Sequence, residues 1–530
     1  MYDLIIRNGT IVDGTGAAGY KADIAIQGQK IVSIGTLDEE SAAKVIDAQG
    51  KIVAPGFIDA HCHGDLNVFG DPVAKNQLLQ GITTEVVGNC GLSFSPQSDA
   101  PDTMATSELD FLPEKERKKY VHPQSFPDFM DLVEKLRLGV NMVCYIGQGV
   151  VRSSVMGYRP GDASETELAE MKRIINEAMQ AGAAGMSTGL IYPAGSLTGT
   201  EELIELAREV GKYGKRYVTH MRNEGDHIHE ALEEAFRISK ESGAELIVSH
   251  HKVCGINNIG RTVETLQMID EEISNGANIY MDVYPYTAGA TNFVSGTFPK
   301  EVASDRITML QKLKDPNFRK WIHNVLVTGE GCGEPYLSAG TPDNVIIGSA
   351  PGCEETEGMN LTEAGAYFGC DPYEAALIVA EKTQCAAIAS FNVTTEEDLK
   401  RVIAHPRAMF GTDASHSTIK NIFGHPRSWG TFPHIIYNYV KEESVISLEE
   451  FCRKASALPC EVLGIKGKGL IKEGYDADIV IFEYEKIHDT ATYVNINGMN
   501  EGIQNVIVSG QIAVENDAIT GVLAGSLIRL

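Results

Sequence analysis

Short apolar runs separated by turn residues fill both ends of the chain. The first 55 residues contain DLIIRNGTIVDG, ADIAIQGQKIVSIG and KVIDAQGKIVAPG, in which apolar stretches alternate with glycine-containing turns. The same alternation of apolar stretches and turn residues occurs near the other end of the chain, in GLIKEGYDADIVIFE, NVIVSGQIAVEN and AITGVLAGSLIRL. These patterns predict strands joined by tight turns. Because neither set has enough apolar surface to fold alone, we expect residues 1–55 and 464–530 to form one small β-sandwich domain.

Residues 56–463 alternate strand-like apolar runs with stretches of helical periodicity, which is typical of parallel βα units. Helical stretches such as GTEELIELAREVGKYG end in glycine, a common helix stop. The eight candidate strands are IVAPGFIDAHCH, GITTEVVGNCG, VNMVCYIGQG, AGAAGMSTGL, KRYVTHMRN, AELIVSHHK, ANIYMDVYPY and AMFGTDASH. Eight such repeats predict a closed (β/α)8 TIM barrel of the α/β class.

The connection before the eighth strand is much longer than an ordinary crossover. The seventh strand ends near residue 286 and the eighth begins near residue 408. Because crossovers in compact domains are short, this length predicts an inserted subdomain within the barrel, which we place at residues 297–348.

Composition and charge exclude several classes of protein. The chain has 530 residues, of which 43% are hydrophobic and 22% charged, as in ordinary globular proteins. A formal charge of −27 leaves no basic footprint for nucleic acid. No window is apolar enough to cross a membrane, and no signal peptide is evident, so we expect a cytoplasmic protein whose ten cysteines are reduced.

Residues at the C-terminal ends of the predicted barrel strands form a set of metal ligands. Active sites of this fold lie at that end of the barrel. Since neighbouring residues on a strand face opposite ways, His61 and His63 share a face and Cys62 between them points into the wall. Imidazole, thiolate and carboxylate donors together suit a borderline-soft ion such as Zn2+. The candidate ligands are His61, His63, Cys90, His220, His250 and Asp413.

Several motifs resemble the N-acyl-D-amino-acid deacylases, or D-aminoacylases, of the amidohydrolase superfamily. The HxH of PGFIDAHCHGD marks only the superfamily, whereas GNCG together with HPRSWGTFP is more specific. THMRNEG, SHHK, YPY and GTDAS add to the resemblance, which spans essentially the whole chain. It implies a zinc-dependent enzyme that cleaves the amide bond of N-acyl-D-amino acids and carries a two-ended β domain.

The resemblance also implies how the ligands are divided. Many superfamily members use a carbamylated lysine on the fourth strand, but that strand reads GMSTGL here and Cys90 takes the lysine's place. In the resembled family one tight zinc site is formed by residues matching Cys90, His220 and His250. A weaker second position is then flanked by His61, His63 and Asp413. Asp413 is also the predicted catalytic base and acid, because amide hydrolysis requires a proton to be taken from water and delivered to the amine.

Recognition of a small-molecule N-acyl amino acid requires a partner for its free carboxylate. A guanidinium can donate two parallel hydrogen bonds to a carboxylate. Arg427 matches the carboxylate-binding arginine of the resembled family. Lys252, Tyr192 and Tyr284 match other substrate-contacting positions there. The family commonly has a hydroxyl residue after YPY, where this chain has Ala290 followed by Thr291. The side-chain preference, whether hydrophobic, Glu-like or Asp-like, therefore stays open.

Three alternatives remain beside the deacylase interpretation. A cyclic amidase of the dihydroorotase or hydantoinase type shares the barrel, the HxH and the strand-eight aspartate, and an isoaspartyl-type dipeptidase is closer in substrate. The missing strand-four lysine and the presence of Cys90 argue against both. A non-catalytic metal- or ligand-binding barrel is disfavoured because every strand-end donor is present. The D configuration depends on the resemblance alone, and the oligomeric state and the number of working metals are not fixed.

Overall fold

Eight parallel strands form a closed ring in the computed structural model, which describes residues 1–37, 41–96, 124–303, 306–416 and 424–530. All neighbouring pairs within its two sheets are parallel. The Ala60 amide donates to the Phe410 carbonyl at 2.9 Å, which joins the first strand to the eighth, and the predicted TIM barrel is thereby confirmed. The strands are Phe57–Asp59, Ile82–Val87, Asn141–Cys144 with its continuation Ile146–Gly147, Gly185–Gly189, Arg216–His220, Glu245–Val248, Ile279–Val283 and Ala408–Phe410.

Helices connect these strands and bury one apolar face against them. The helix Glu165–Gln180 begins with a capping box, in which Ser164 Oγ accepts from the Glu167 amide and the Glu167 carboxylate accepts from the Ser164 amide. It buries Met171 and Ile175 against the barrel. The connecting helices and short turns are Gly64–Leu66, Lys75–Leu78, Phe126–Lys135, Gln148–Met156, Glu165–Gln180, Pro193–Ser196, Thr200–Gly211, Ile228–Ser242, Ile256–Asn258, Thr262–Ser274 and Glu396–Ala404.

The N-terminal end of the barrel is filled by apolar side chains. Inward residues of successive strands, among them Ile58, Val143 and Val218, pack in one buried cluster with Val462 from a later helix. The last residues of the chain join the same cluster, because the Ser526 carbonyl accepts from the Met142 amide at 3.0 Å and leads the chain under the barrel. Residues 526–530 thus lie apart from the sandwich to which the range 464–530 assigned them.

Both ends of the chain build a two-sheet sandwich, as predicted. The strand Ile479–Phe482 pairs antiparallel with Ile52–Pro55, so that Val480 lies opposite Ala54. Isoleucine side chains fill the space between the sheets. One sheet contains Lys30–Gly35, Asp23–Gln27, Tyr2–Arg7 and Ala42–Asp47. The other contains Ala518–Ile519, Gln511–Glu515, Ile503–Val508, Ile479–Phe482, Ile52–Pro55, Thr10–Ile11 and Tyr20–Lys21.

A separate antiparallel layer is inserted between the seventh and eighth barrel strands. Its three strands are Ala288–Asn292, Ile388–Asn392 and Val345–Ser349, with Ile388–Asn392 in the middle. The layer extends beyond the predicted range 297–348 on both sides, because its first and last strands pair with each other across nearly a hundred residues. Its helices and short turns are Phe293–Thr297, Lys300–Ala303, Arg306–Lys312, Pro316–Thr328, Glu334–Ala339, Pro342–Asn344, Glu354–Thr356, Leu361–Phe368 and Pro372–Lys382.

A helical arm follows the eighth strand and leads to the sandwich. It consists of Arg427–His434, Ile435–Glu442, Leu448–Cys452, Arg453–Ala457 and Leu458–Leu463. Over the described ranges, none of the helices combines the length and the apolar character that crossing a bilayer requires.

Candidate metal centre and active site

The six predicted ligands meet at the C-terminal end of the barrel, and all are buried. They form two sets that share Cys90, and within each set the donor atoms lie within 4.8 Å of one another. The cysteine set is Cys90, His220 and His250, and the aspartate set is His61, His63, Cys90 and Asp413. The strands deliver these side chains because each donor lies at a strand end or within a few residues of it.

Cys90 lies at the centre of this arrangement. Its Sγ is 3.4 Å from His61 Nε2, 3.4 Å from His250 Nε2 and 3.9 Å from His220 Nδ1. Burial raises the pKa of this thiol, but the charges on the His61 and His250 rings outweigh burial and hold it well below its ordinary value. A thiolate with imidazole neighbours is a donor set that fits zinc.

The backbone around Cys90 is shaped to present the thiol. Cys90 itself has a φ of 54°, and the glycines at 88 and 91 also have positive φ. A Cβ atom at Gly88 would lie 2.2 Å from the Tyr145 carbonyl oxygen, and one at Gly91 would lie 2.7 Å from the Gly189 amide nitrogen. The GNCG motif therefore needs its glycines for close packing against the next two barrel strands.

Asp413 joins the aspartate set to the predicted substrate-binding arginine. Its Oδ1 is 3.1 Å from His63 Nε2 and 3.5 Å from His61 Nε2, and its Oδ2 accepts from Arg427 Nη1 at 2.7 Å. Burial raises the pKa of this carboxyl, but Arg427 and the two rings overcome burial and hold it well below its ordinary value. The Asp413 carboxylate is therefore ionised, and the contacts of its two oxygens fix its orientation.

Two buried carboxylates that were not predicted from the sequence, Asp282 and Glu224, orient the ligand rings from behind. Asp282 Oδ1 lies 3.0 Å from His61 Nδ1 and accepts from the His250 amide at 2.8 Å. Glu224 Oε1 lies 3.1 Å from His250 Nδ1, and Glu224 Oε2 lies 3.6 Å from His220 Nε2. Such partners fix the tautomer and direction of a ligating imidazole. For Glu224 a signal was present, since it stands four residues after His220 in THMRNEG.

The two predicted substrate-binding cations are both paired with carboxylates of the site. Lys252 Nζ lies 2.8 Å from Glu224, and Arg427 is bound to Asp413 as described above. Both cations also lie near the Tyr284 ring, at 5.6 Å for the amine and 4.7 Å for the guanidinium. The Tyr192 ring is 5.4 Å from the His220 ring.

A narrow cavity of about 40 Å³ extends from the ligands towards the inserted layer. The four predicted substrate residues Arg427, Lys252, Tyr192 and Tyr284 all line it, beside His220, His250 and Asp413. The inserted layer contributes Glu334, Pro335, Phe391 and Val393 to its wall. No sequence pattern indicated these four residues, because the layer reaches the barrel mouth only through tertiary packing.

An eight-stranded barrel with Cys, His and Asp donors at its C-terminal end defines a metal-binding enzyme of the amidohydrolase type. Models of the amidohydrolase family match residues 44–307 and 364–513. The D-aminoacylase of Alcaligenes xylosoxydans xylosoxydans is 33% identical over 99% of this chain and 97% of its own length. The N-acyl-D-aspartate deacylase of the same organism is 32% identical over 96% of this chain and 91% of its own length.

The similarity extends to a solved structure. An N-acyl-D-glutamate deacylase from Bordetella bronchiseptica, complexed with zinc and a phosphonate inhibitor that mimics the tetrahedral intermediate, superposes with a TM-score of 0.85. It is 30% identical, and the match covers 100% of both chains. The chain belongs to the D-aminoacylase family of amidohydrolases.

Proposed function

We propose that this chain hydrolyses the amide bond of N-acyl-D-amino acids, releasing a carboxylate and a free D-amino acid. The observation that carries the proposal is the Cys90 thiol beside His220 and His250, because these two rings line the same cavity as Arg427. The resemblance to enzymes that act on N-acyl-D-aspartate and N-acyl-D-glutamate supports the reaction and its handedness. We further propose a cytoplasmic location without nucleic-acid or membrane partners.

We assign one tight Zn2+ to Cys90, His220 and His250, with a weaker second position flanked by His61, His63 and Asp413. Bound there, the ion supplies Lewis-acid polarisation of the amide carbonyl and lowers the pKa of a water molecule towards neutrality.

Asp413 is the proposed catalytic base and acid. Its carboxylate is ionised, and Oδ1 faces the ligand rings while Arg427 holds Oδ2. It accepts the proton of the attacking water and delivers it to the departing amine, and both transfers are required for amide cleavage. The salt bridge to Arg427 keeps the carboxylate pointed at the reaction centre.

Arg427 binds the free carboxylate of the substrate, with Lys252 close by. Asp413 accepts only from Nη1 of the guanidinium, Nη2 donates a long hydrogen bond of 3.4 Å to the Ala290 carbonyl, and among the described residues Nε has no hydrogen-bond partner. The arginine therefore keeps donor capacity for a second carboxylate without releasing the first. Tyr192 and Tyr284 flank the space between this carboxylate and the metal ligands.

The test is amine release from matched pairs of N-acetyl-D- and N-acetyl-L-amino acids by protein purified with zinc, beside dihydrouracil and an isoaspartyl dipeptide. We expect turnover of the D substrates only. Ring opening of dihydrouracil, or cleavage of the dipeptide without deacylation, would replace the proposal by a cyclic amidase or an isoaspartyl dipeptidase. Stoichiometric zinc with no turnover of any substrate would identify a non-catalytic barrel.

A further inference from the structure

One acidic residue of the inserted layer lines the cavity without a salt bridge to any described residue. Glu334 begins the helix Glu334–Ala339 and lines the cavity beside Pro335 and Phe391. Its carboxylate accepts a hydrogen bond from Ser338 Oγ at 2.8 Å, and within the described ranges no ion pair involves it. Burial raises the pKa of Glu334 to about 7 and the nearby Glu224 carboxylate acts in the same direction, while the Ser338 hydrogen bond and the Lys252 charge oppose them only in part.

Glu334 is held against the barrel mouth. A Cβ atom built on Gly225, in the loop after the fifth barrel strand, would lie 3.0 Å from Glu334 Oε1. Because residue 225 has no side chain, the Glu334 carboxylate has room beside Lys252 and Cys254. The position of the acid is fixed by the packing of the layer on the barrel.

Every cation in the described lining of the cavity already has a carboxylate partner. Lys252 is paired with Glu224, and Arg427 is paired with Asp413. Binding the α-carboxylate of a substrate uses the remaining capacity of Arg427. A second carboxylate in the substrate side chain would face Glu334 and the apolar surfaces of Ile191 and Phe391, and the nearest cation, Lys252, is already balanced by Glu224.

The relatives show that side-chain preference cannot be inferred from overall similarity. The D-aspartate and D-glutamate deacylases are about equally similar to this chain, at 32% and 30% identity. Which substrate side chain is accepted must therefore be determined by residues of the cavity wall.

Building on the proposed deacylase function, we propose that Glu334 is a specificity residue. With its apolar neighbours it selects N-acyl-D-amino acids whose side chain is apolar or cationic, and it rejects those whose side chain carries a carboxylate. Above neutral pH, where the Glu334 carboxylate is ionised, rejection follows because like charges brought together in a poorly solvated cavity cost free energy that neither an alkyl nor an ammonium side chain has to supply.

The test compares kcat/KM at pH 9, where a carboxyl of pKa about 7 is ionised, for the N-acetyl derivatives of D-leucine, D-glutamate and, acetylated on the α-amine, D-lysine. The variants are Glu334→Gln and, as a matched control, Glu330→Gln, an exposed residue just before the same helix. For the wild type we expect kcat/KM for the D-leucine and D-lysine derivatives to exceed kcat/KM for the D-glutamate derivative by about a hundredfold. This ratio corresponds to a loss of about 2.7 kcal/mol of transition-state stabilisation for D-glutamate. In Glu334→Gln, kcat/KM for the D-glutamate derivative should rise about tenfold and kcat/KM for the D-lysine derivative should fall. The value for D-leucine should stay within about twofold of the wild type.

Equal use of D-glutamate and D-leucine by the wild type overturns the role of Glu334 even if the variant does not fold. So does a glutamate-to-leucine ratio that is the same in Glu334→Gln and Glu330→Gln. In both cases D-leucine is still hydrolysed, so the deacylase function survives. If no N-acyl-D-amino acid is turned over at all, the proposed function fails and this inference fails with it.

Discussion

The two ligand sets at the barrel mouth share Cys90 but differ in how their charge is balanced. Behind the cysteine set lies Glu224, whose charge is matched by Lys252 outside the set. The aspartate set contains its own carboxylate, and a guanidinium already neutralises Asp413 at 2.7 Å. Because a second metal ion would have to approach this guanidinium, like-charge repulsion would weaken the second position that we propose. The asymmetry supports one tight metal and one weak one.

Removing the shared donor should have the largest effect. In Cys90→Ala both sets lose their thiolate, and we expect zinc content to fall to background and amine release to fall to the level of metal-stripped enzyme. Zinc per chain by mass spectrometry and initial rates measure this. Cys62→Ala is the control, since that thiol faces Glu85 in the barrel wall. A Cys90→Ala protein that still holds one tightly bound zinc would refute the assignment of the cysteine set.

Changing only the aspartate set should separate metal binding from catalysis. Asp413→Asn keeps the shape of the side chain but cannot act as a base, so we expect kcat to fall by about 10²–10⁴-fold. The cysteine set is untouched, and one zinc per chain should remain. Loss of the metal together with activity would show that Asp413 belongs to the tight site, contrary to the asymmetry described above.

Removing the guanidinium tests the cause of the asymmetry and should have the smallest effect on rate. Arg427→Met takes away a charge-assisted hydrogen bond to substrate, and we expect KM to rise by about 10–100-fold. The same change leaves Asp413 without its cation, so in excess zinc the metal content should rise from one towards two per chain. Equilibrium dialysis against zinc measures this. If zinc content is unchanged, Arg427 does not control the second position.

Local patterns in the sequence were enough to predict the barrel and to choose the candidate ligands. His61 and His63 alternate along one strand end, and the GNCG turn identifies Cys90, because both depend on residues close in sequence. Asp282 was not predicted, since an aspartate inside an apolar strand gives no sign of which neighbouring ring it will meet. Glu334 was not predicted either, because it reaches the cavity only when strands nearly a hundred residues apart pair in the inserted layer.

The pairing of Ile52–Pro55 with Ile479–Phe482 also affects how the protein is made. Roughly 420 residues separate the two strands, so at about 5–20 residues per second the first strand leaves the ribosome roughly 20–85 s before its partner. During that interval one edge of the growing sheet offers unpaired backbone groups, which favours association with other chains. Synthesis of this enzyme should therefore depend on chaperone capacity, and its soluble yield should fall when chaperones are depleted.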